Sequence, residues 1–105
     1  MSNNQISNAF QLFMSEAPDH AKAWGTAVQG LGAASALDKK TSALAYLAVI
    51  SALRLESGIP FHVNSAKAAG ATREEVISAV LVGLPAAGHV VTQALPIAIA
   101  AYNAE

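Results

Sequence analysis

The chain has 105 residues, seven acidic and six basic side chains, and a formal net charge of -1. That length bounds it to a single domain over 1–105 with a modest core, and the near-neutral balance offers nucleic acid no basic field. Cysteine is absent, which excludes disulfides, thiolate metal sites and a thiol peroxidase cycle within this chain.

The pattern reads as all-α throughout. Alanine is abundant, strand-type alternation is missing, and breakers fall about one helix apart. A first helix is expected from about Asn4 to Glu16, with Ile6, Phe10, Phe13 and Met14 on one face. Pro18 closes it, and Asp19 is a candidate N-cap for a second helix over His20–Leu31. Gly30 and Gly32 loosen the end of that helix. Asp38 is placed to cap a third helix reaching about Glu56. Its interior (Leu44, Tyr46, Leu47, Val49, Ile50, Leu53) is apolar nearly all round, as in helices enclosed by a core or by other subunits.

Gly58 and Pro60 break that run, and Pro60 suits the first turn of a fourth helix because its missing N–H is not needed there. The fourth helix carries Phe61, His62, Ala66 and Ala69 and stops at Gly70. Thr72-Arg73-Glu74-Glu75 has the spacing of a capping box. A fifth helix then turns Val76, Ala79, Val80 and Gly83 inward. After a break at Leu84–Gly88, a sixth helix runs to about Tyr102 with a kink at Pro96. The expectation is a compact bundle of about six helices with short connections.

Hydrophobic residues make up 53% of the chain and charged residues only 12%. A small domain so poor in charge is expected to bury apolar surface against further copies, as a homo-oligomer. Met1–Gln5 lacks the basic and apolar regions of a signal peptide. The apolar runs 43–53 and 90–102 are too short to span a bilayer. The expected setting is cytoplasmic, with neither membrane nor nucleic acid as a partner.

Three histidines are the candidate chemical groups. His20, at a helix start, reads as a solvent-facing residue. His62 reads either as a packed imidazole with one nitrogen hydrogen-bonded, or as a neutral base whose charged form a helix N-terminus disfavours. Glu56, just upstream, is either its proton-sharing partner or the salt-bridge partner of Arg54. His89 and Gln93 stand one α-helical turn apart, so they either bond to each other or a nearby backbone, or line the pocket of His62. No His/carboxylate spacing announces a metal, and no phosphate loop or serine elbow is present.

The stretch Arg54-Leu55-Glu56-Ser57-Gly58-Ile59-Pro60-Phe61-His62-Val63, followed by Ala66-Lys67-Ala68-Ala69-Gly70-Ala71-Thr72-Arg73-Glu74-Glu75-Val76, resembles the carboxymuconolactone decarboxylase and alkyl hydroperoxidase D superfamily. The likeness extends to Ala17-Pro18, Leu37–Thr41 and Leu47-Ala48-Val49. Redox-active members carry Cys-x-x-Cys-x-x-x-His; aligning on His62 puts Leu55 and Gly58 where the thiols would sit, and Ala43 at the relay glutamate. Decarboxylase-like members carry Glu-x-Glu-x-x-x-His; Glu56 matches the first glutamate, and Gly58 stands at the second. The resemblance implies an all-helical alkyl hydroperoxidase D-like fold and assembly as trimers or hexamers.

Together with these residues, the resemblance implies acid–base chemistry on, or binding of, a small organic acid or lactone around His62. It would be decarboxylase- or lyase-like rather than a thiol peroxidase. Catalytic candidates are His62, Glu56 and His89; substrate-binding candidates are Gln93, Arg54 and Phe61. No cofactor and no metal are expected. The alternative is a non-catalytic ligand-binding or structural oligomer on the same fold.

Overall fold

The computed structural model describes residues 7–104, all helix, turn or coil, with no strand among them. Asn4 and Ile6, the expected start of the first helix, lie outside the described residues. The chain divides into two units, Met1–Asp38 and Lys39–Glu105.

The first unit is a helical hairpin of α1 (Asn8–Glu16) and α2 (Pro18–Ala34). Ser7 caps α1, its Oγ accepting from the Phe10 N–H at 3.1 Å, and the Phe10 and Phe13 rings meet at 5.9 Å. The connection is a single residue, Ala17, so Pro18 both ends one helix and begins the next. Asp19 is therefore not the cap but a first-turn residue of α2, where its charge complements the helix dipole. Gly30 and Gly32 do not end α2, which continues to Ala34. Neither helix contains a buried residue.

The second unit holds α3 (Lys39–Ala52), a 3₁₀ turn (Glu56–Gly58), α4 (Ile59–Ala68), α5 (Arg73–Leu81), the single turn α6 (Leu84–Ala87), a 3₁₀ stretch (Gly88–Ala94) and α7 (Leu95–Asn103). Its core is Leu47 and Ile50 from α3, Ile59, Val63 and Ala66 from α4, Val76 and Val80 from α5, and Ala94 and Ala98 near the C-terminus. Leu47, Ile59, Val63, Val76 and Val80 are among its largest fully buried side chains, each contributing about 1.5–3 kcal/mol through burial. Helix α3 packs on α4 and α5, and α7 packs on the same pair. Lys67 of α4 donates to the carbonyls of Tyr102 (2.7 Å) and Ala104 (3.3 Å), while the Tyr102 hydroxyl donates to Ala71 O at 2.8 Å. The two Lys67 bonds satisfy carbonyls at the end of α7 and tie them to α4, and the Tyr102 hydroxyl ties α7 to the α4–α5 connection.

Two further boundaries differ from expectation, each for a local reason. Helix α3 stops at Ala52 because Arg54 enters the left-handed region (φ 61°) and the Leu55 N–H bonds back to Ile50 O at 2.9 Å, the helix-closing pattern usually built on glycine. Pro96 does not kink a long last helix. It sits in the first turn of α7, where a missing N–H costs nothing. Before it, residues 88–94 wind as 3₁₀ after Gly88 turns at φ 80°. The stretch Arg73–Asn103 is long and apolar enough, by length and composition alone, to cross a membrane. It is interrupted at Gly88, and Val76, Ala79, Val80, Val91, Ala94 and Ala98 within it are buried.

The signals at Gly70 and Thr72 act as expected. Gly70 turns at φ 96° while the Ala71 N–H reaches Ala66 O at 3.0 Å, closing α4. Thr72 and Glu75 exchange backbone-to-side-chain bonds at 2.9 and 3.0 Å to open α5. The Thr72 backbone bond, reinforced by Lys40 at 3.0 Å, holds the Glu75 carboxyl below its ordinary pKa.

Candidate functional site

His62 lies in the first turn of α4, delivered there by the break at Arg54–Gly58 and by Pro60, which is pre-shaped for that turn. Its side chain is half-buried. The imidazole stacks on Tyr46 of α3, with ring centroids 4.2 Å apart and planes at 26°. Phe61 meets it edge-on at 5.2 Å and 75°. Neither ring nitrogen has a hydrogen-bond partner among the described residues, so this is not the packed, hydrogen-bonded histidine that burial usually requires. Burial lowers the pKa of His62 from its ordinary value of 6.5, and the neutral imidazole is the dominant form at neutral pH.

A Cβ at Gly58 would lie 3.8 Å from His62 Cδ2, in ordinary van der Waals contact, so space remains where a side chain at 58 would project. Val49, Leu53, Leu55 and Phe61 are all exposed, between 44% and 62%. The aromatic rings of Tyr46 and Phe61 are the side chains seen against the unpaired imidazole.

Other expected site residues are not drawn to it. Glu56 turns to Arg54, whose Nε donates to Oε2 at 2.6 Å. No hydrogen bond, ion pair or ring contact among the described residues joins Glu56, His89 or Gln93 to His62. His89 and Gln93 are exposed on the 3₁₀ stretch. There, residues three apart eclipse, so His89 aligns with Thr92, whose Oγ1 donates to His89 O at 2.7 Å. His20 is exposed on α2. Among the described residues, no three His, Asp or Glu side chains gather as a metal site would require.

Tyr46 is the site residue that the linear pattern did not mark. It reads as one apolar position among several in α3, and only the packing of α3 on α4 brings it to the imidazole. Its hydroxyl has no hydrogen-bond partner among the described residues.

A wide-open groove between α3 and α5 lies elsewhere, lined by Thr41, Leu44, Ala45, Ala48, Glu74, Glu75, Ser78, Ala79 and Val82. It does not include His62. Glu75 at its rim is already engaged by Thr72 and Lys40, and the groove holds no histidine. Acid–base chemistry needs a titratable group with an open position near neutral pH, so His62 is the better candidate.

The family model described as "Carboxymuconolactone decarboxylase family" matches residues 18–100. Comparison with curated proteins and with solved structures returns no match.

Proposed function

The chain belongs to the carboxymuconolactone decarboxylase family, and on that premise we propose that it binds a small organic acid or lactone at His62 and acts on it by acid–base chemistry. The observation that carries this reading is the half-buried imidazole with both nitrogens unpartnered. In its neutral form the ring offers one N–H donor and one acceptor nitrogen. The helix N-terminus and the apolar surround both disfavour the imidazolium, so a proton taken from a ligand is readily returned.

The reaction class is decarboxylase- or lyase-like. A thiol cycle has no sulfur at Leu55 or Gly58. Loss of carbon dioxide from a carboxylate leaves an electron pair on carbon that needs a proton; in this reading neutral His62 takes that proton from the ligand's carboxyl group and returns it to the carbon, ending neutral again. Arg54 keeps N–H groups beyond the Nε bond to Glu56 and is the candidate clamp for a ligand carboxylate. Phe61 supplies an apolar contact. Glu56, His89 and Gln93 join only if ligand or a neighbouring subunit draws them in. The chain works as a homo-oligomer, trimeric or hexameric, in the cytoplasm, needing neither cofactor nor metal.

A second reading, a non-catalytic ligand-binding or structural oligomer, is favoured by one observation: the acidic residue nearest in sequence, Glu56, is committed to Arg54. A panel of lactones and small carboxylic acids separates the readings, scored by turnover and thermal shift on wild-type and His62→Ala protein. Turnover that His62→Ala abolishes supports the catalytic reading. Binding that needs His62 without turnover supports the second. An identical profile for both proteins, with assembly intact, removes His62 from the function.

A further inference from the structure

We propose that Tyr46 is a positioning residue of this site, its ring face holding the His62 imidazole in place of the hydrogen bond that normally orients a functional histidine. The inference rests on the reading of His62 as the working group. A working imidazole is usually aimed by a carboxylate or carbonyl on its second nitrogen, and that bond fixes the tautomer. Here the second nitrogen is not used, and the contacts to the ring are aromatic: Tyr46 at 4.2 Å, nearly parallel, and Phe61 at 5.2 Å, edge-on. The Phe61 contact has the edge-on geometry that aromatic pairs prefer, and the Tyr46 contact is a close, near-parallel stack.

The two contacts differ in what they do. Phe61 precedes His62 on the same helix and moves with it, whereas Tyr46 comes from α3 and holds the ring against a separate element. Gly58 has no side chain to contact the Cδ2 side of the ring, where a Cβ would lie at 3.8 Å, so Tyr46 is the contact to the ring from a separate helix. The consequence is an imidazole held in orientation with both nitrogens open to a ligand. No charged group among the described residues engages the ring. Tyr46 is the titratable side chain that α3 presents to it, and Glu56 on the 3₁₀ turn is directed to Arg54. Burial is therefore the cause of its weakened proton affinity, and Tyr46 supplies part of the cover.

Side-chain NMR of His62 across pH tests this in wild-type, Tyr46→Phe and Tyr46→Leu proteins. Wild-type should show nuclear Overhauser contacts between the Tyr46 and His62 ring protons and a ring-current shift on the imidazole. Tyr46→Phe keeps the ring and should retain the shift and the titration midpoint. Tyr46→Leu should lose the shift, and its midpoint should rise toward the ordinary histidine value. Absence of the wild-type contacts, or an unchanged shift and midpoint in Tyr46→Leu, overturns the proposal. The wild-type measurement decides even where a variant does not fold. Because the titration needs no ligand, a failure of the ligand reading leaves this result intact and is seen separately.

Discussion

At the scale of single residues, burial of His62 sets a sign for its pH dependence. Its folded pKa lies below the 6.5 of an unperturbed histidine, so between those two values the unfolded chain binds more protons than the folded one. The stability it contributes is complete above about 6.5 and declines as pH falls through the folded pKa. His62→Gln should flatten that part of the stability profile, read by urea unfolding between pH 7.5 and 5; an unaltered slope would place the loss on other groups. Arg54 makes a second prediction. A side chain at φ 61° costs about 1–2 kcal/mol where glycine pays little, while an exposed ion pair such as Arg54–Glu56 returns under about 1 kcal/mol. Arg54→Gly should therefore raise stability by about 1 kcal/mol, with a higher urea midpoint at unchanged slope. If it also weakens ligand binding, the strain is kept for the guanidinium. The sequence marked His62 and Arg54 by position, but nothing in it marked the stack. A ring contact between α3 and α4 depends on how two helices rotate against each other, which residue types along one helix do not specify.

Among elements, legibility tracked the strength of local chemistry. The α4–α5 connection was readable to the residue because Gly70 needs positive φ and Thr72 and Glu75 satisfy each other's backbone partners within four positions. Thr72→Ala should cost about 1 kcal/mol, measured by thermal or urea unfolding. Glu75 adds a pH component: its folded pKa is depressed, so its contribution is present at neutral pH and fades as pH falls through that value. The end of α3 and the 3₁₀ stretch before α7 were not readable. Arg54 occupies a turn position that normally announces itself with glycine. Pro96 has two lawful places, a kink or a first turn, and only the run of 3₁₀ geometry before it selects the second.

For the whole molecule, the shortage of charge already visible in composition reappears as exposed apolar side chains in both units. Phe10, Trp24 and Leu31 are 40–72% exposed in the first, and Tyr46, Leu53 and Val82 are 50–66% exposed in the second. Such side chains are where further copies would pack in the proposed homo-oligomer. Trp24 is the chain's single tryptophan and makes a convenient reporter. In the proposed homo-oligomer its fluorescence should be shielded from iodide at micromolar concentration, and light scattering should give a multiple of the 10.7 kDa chain. Free quenching together with a monomeric mass would contradict the assembly. The helical class and the low charge could be read from residue counts. Which faces are left uncovered could not, since that depends on which side of each helix the core consumes.

The claim on which the account turns is that His62, not His89 or His20, is the ligand-binding imidazole. Histidine side-chain NMR during titration with a small lactone carboxylate addresses it directly, because the three histidines report in one sample and two serve as controls. The account predicts that the His62 resonances shift and saturate while those of His20 and His89 stay in place. Saturable shifts at His89 with His62 unmoved would contradict it.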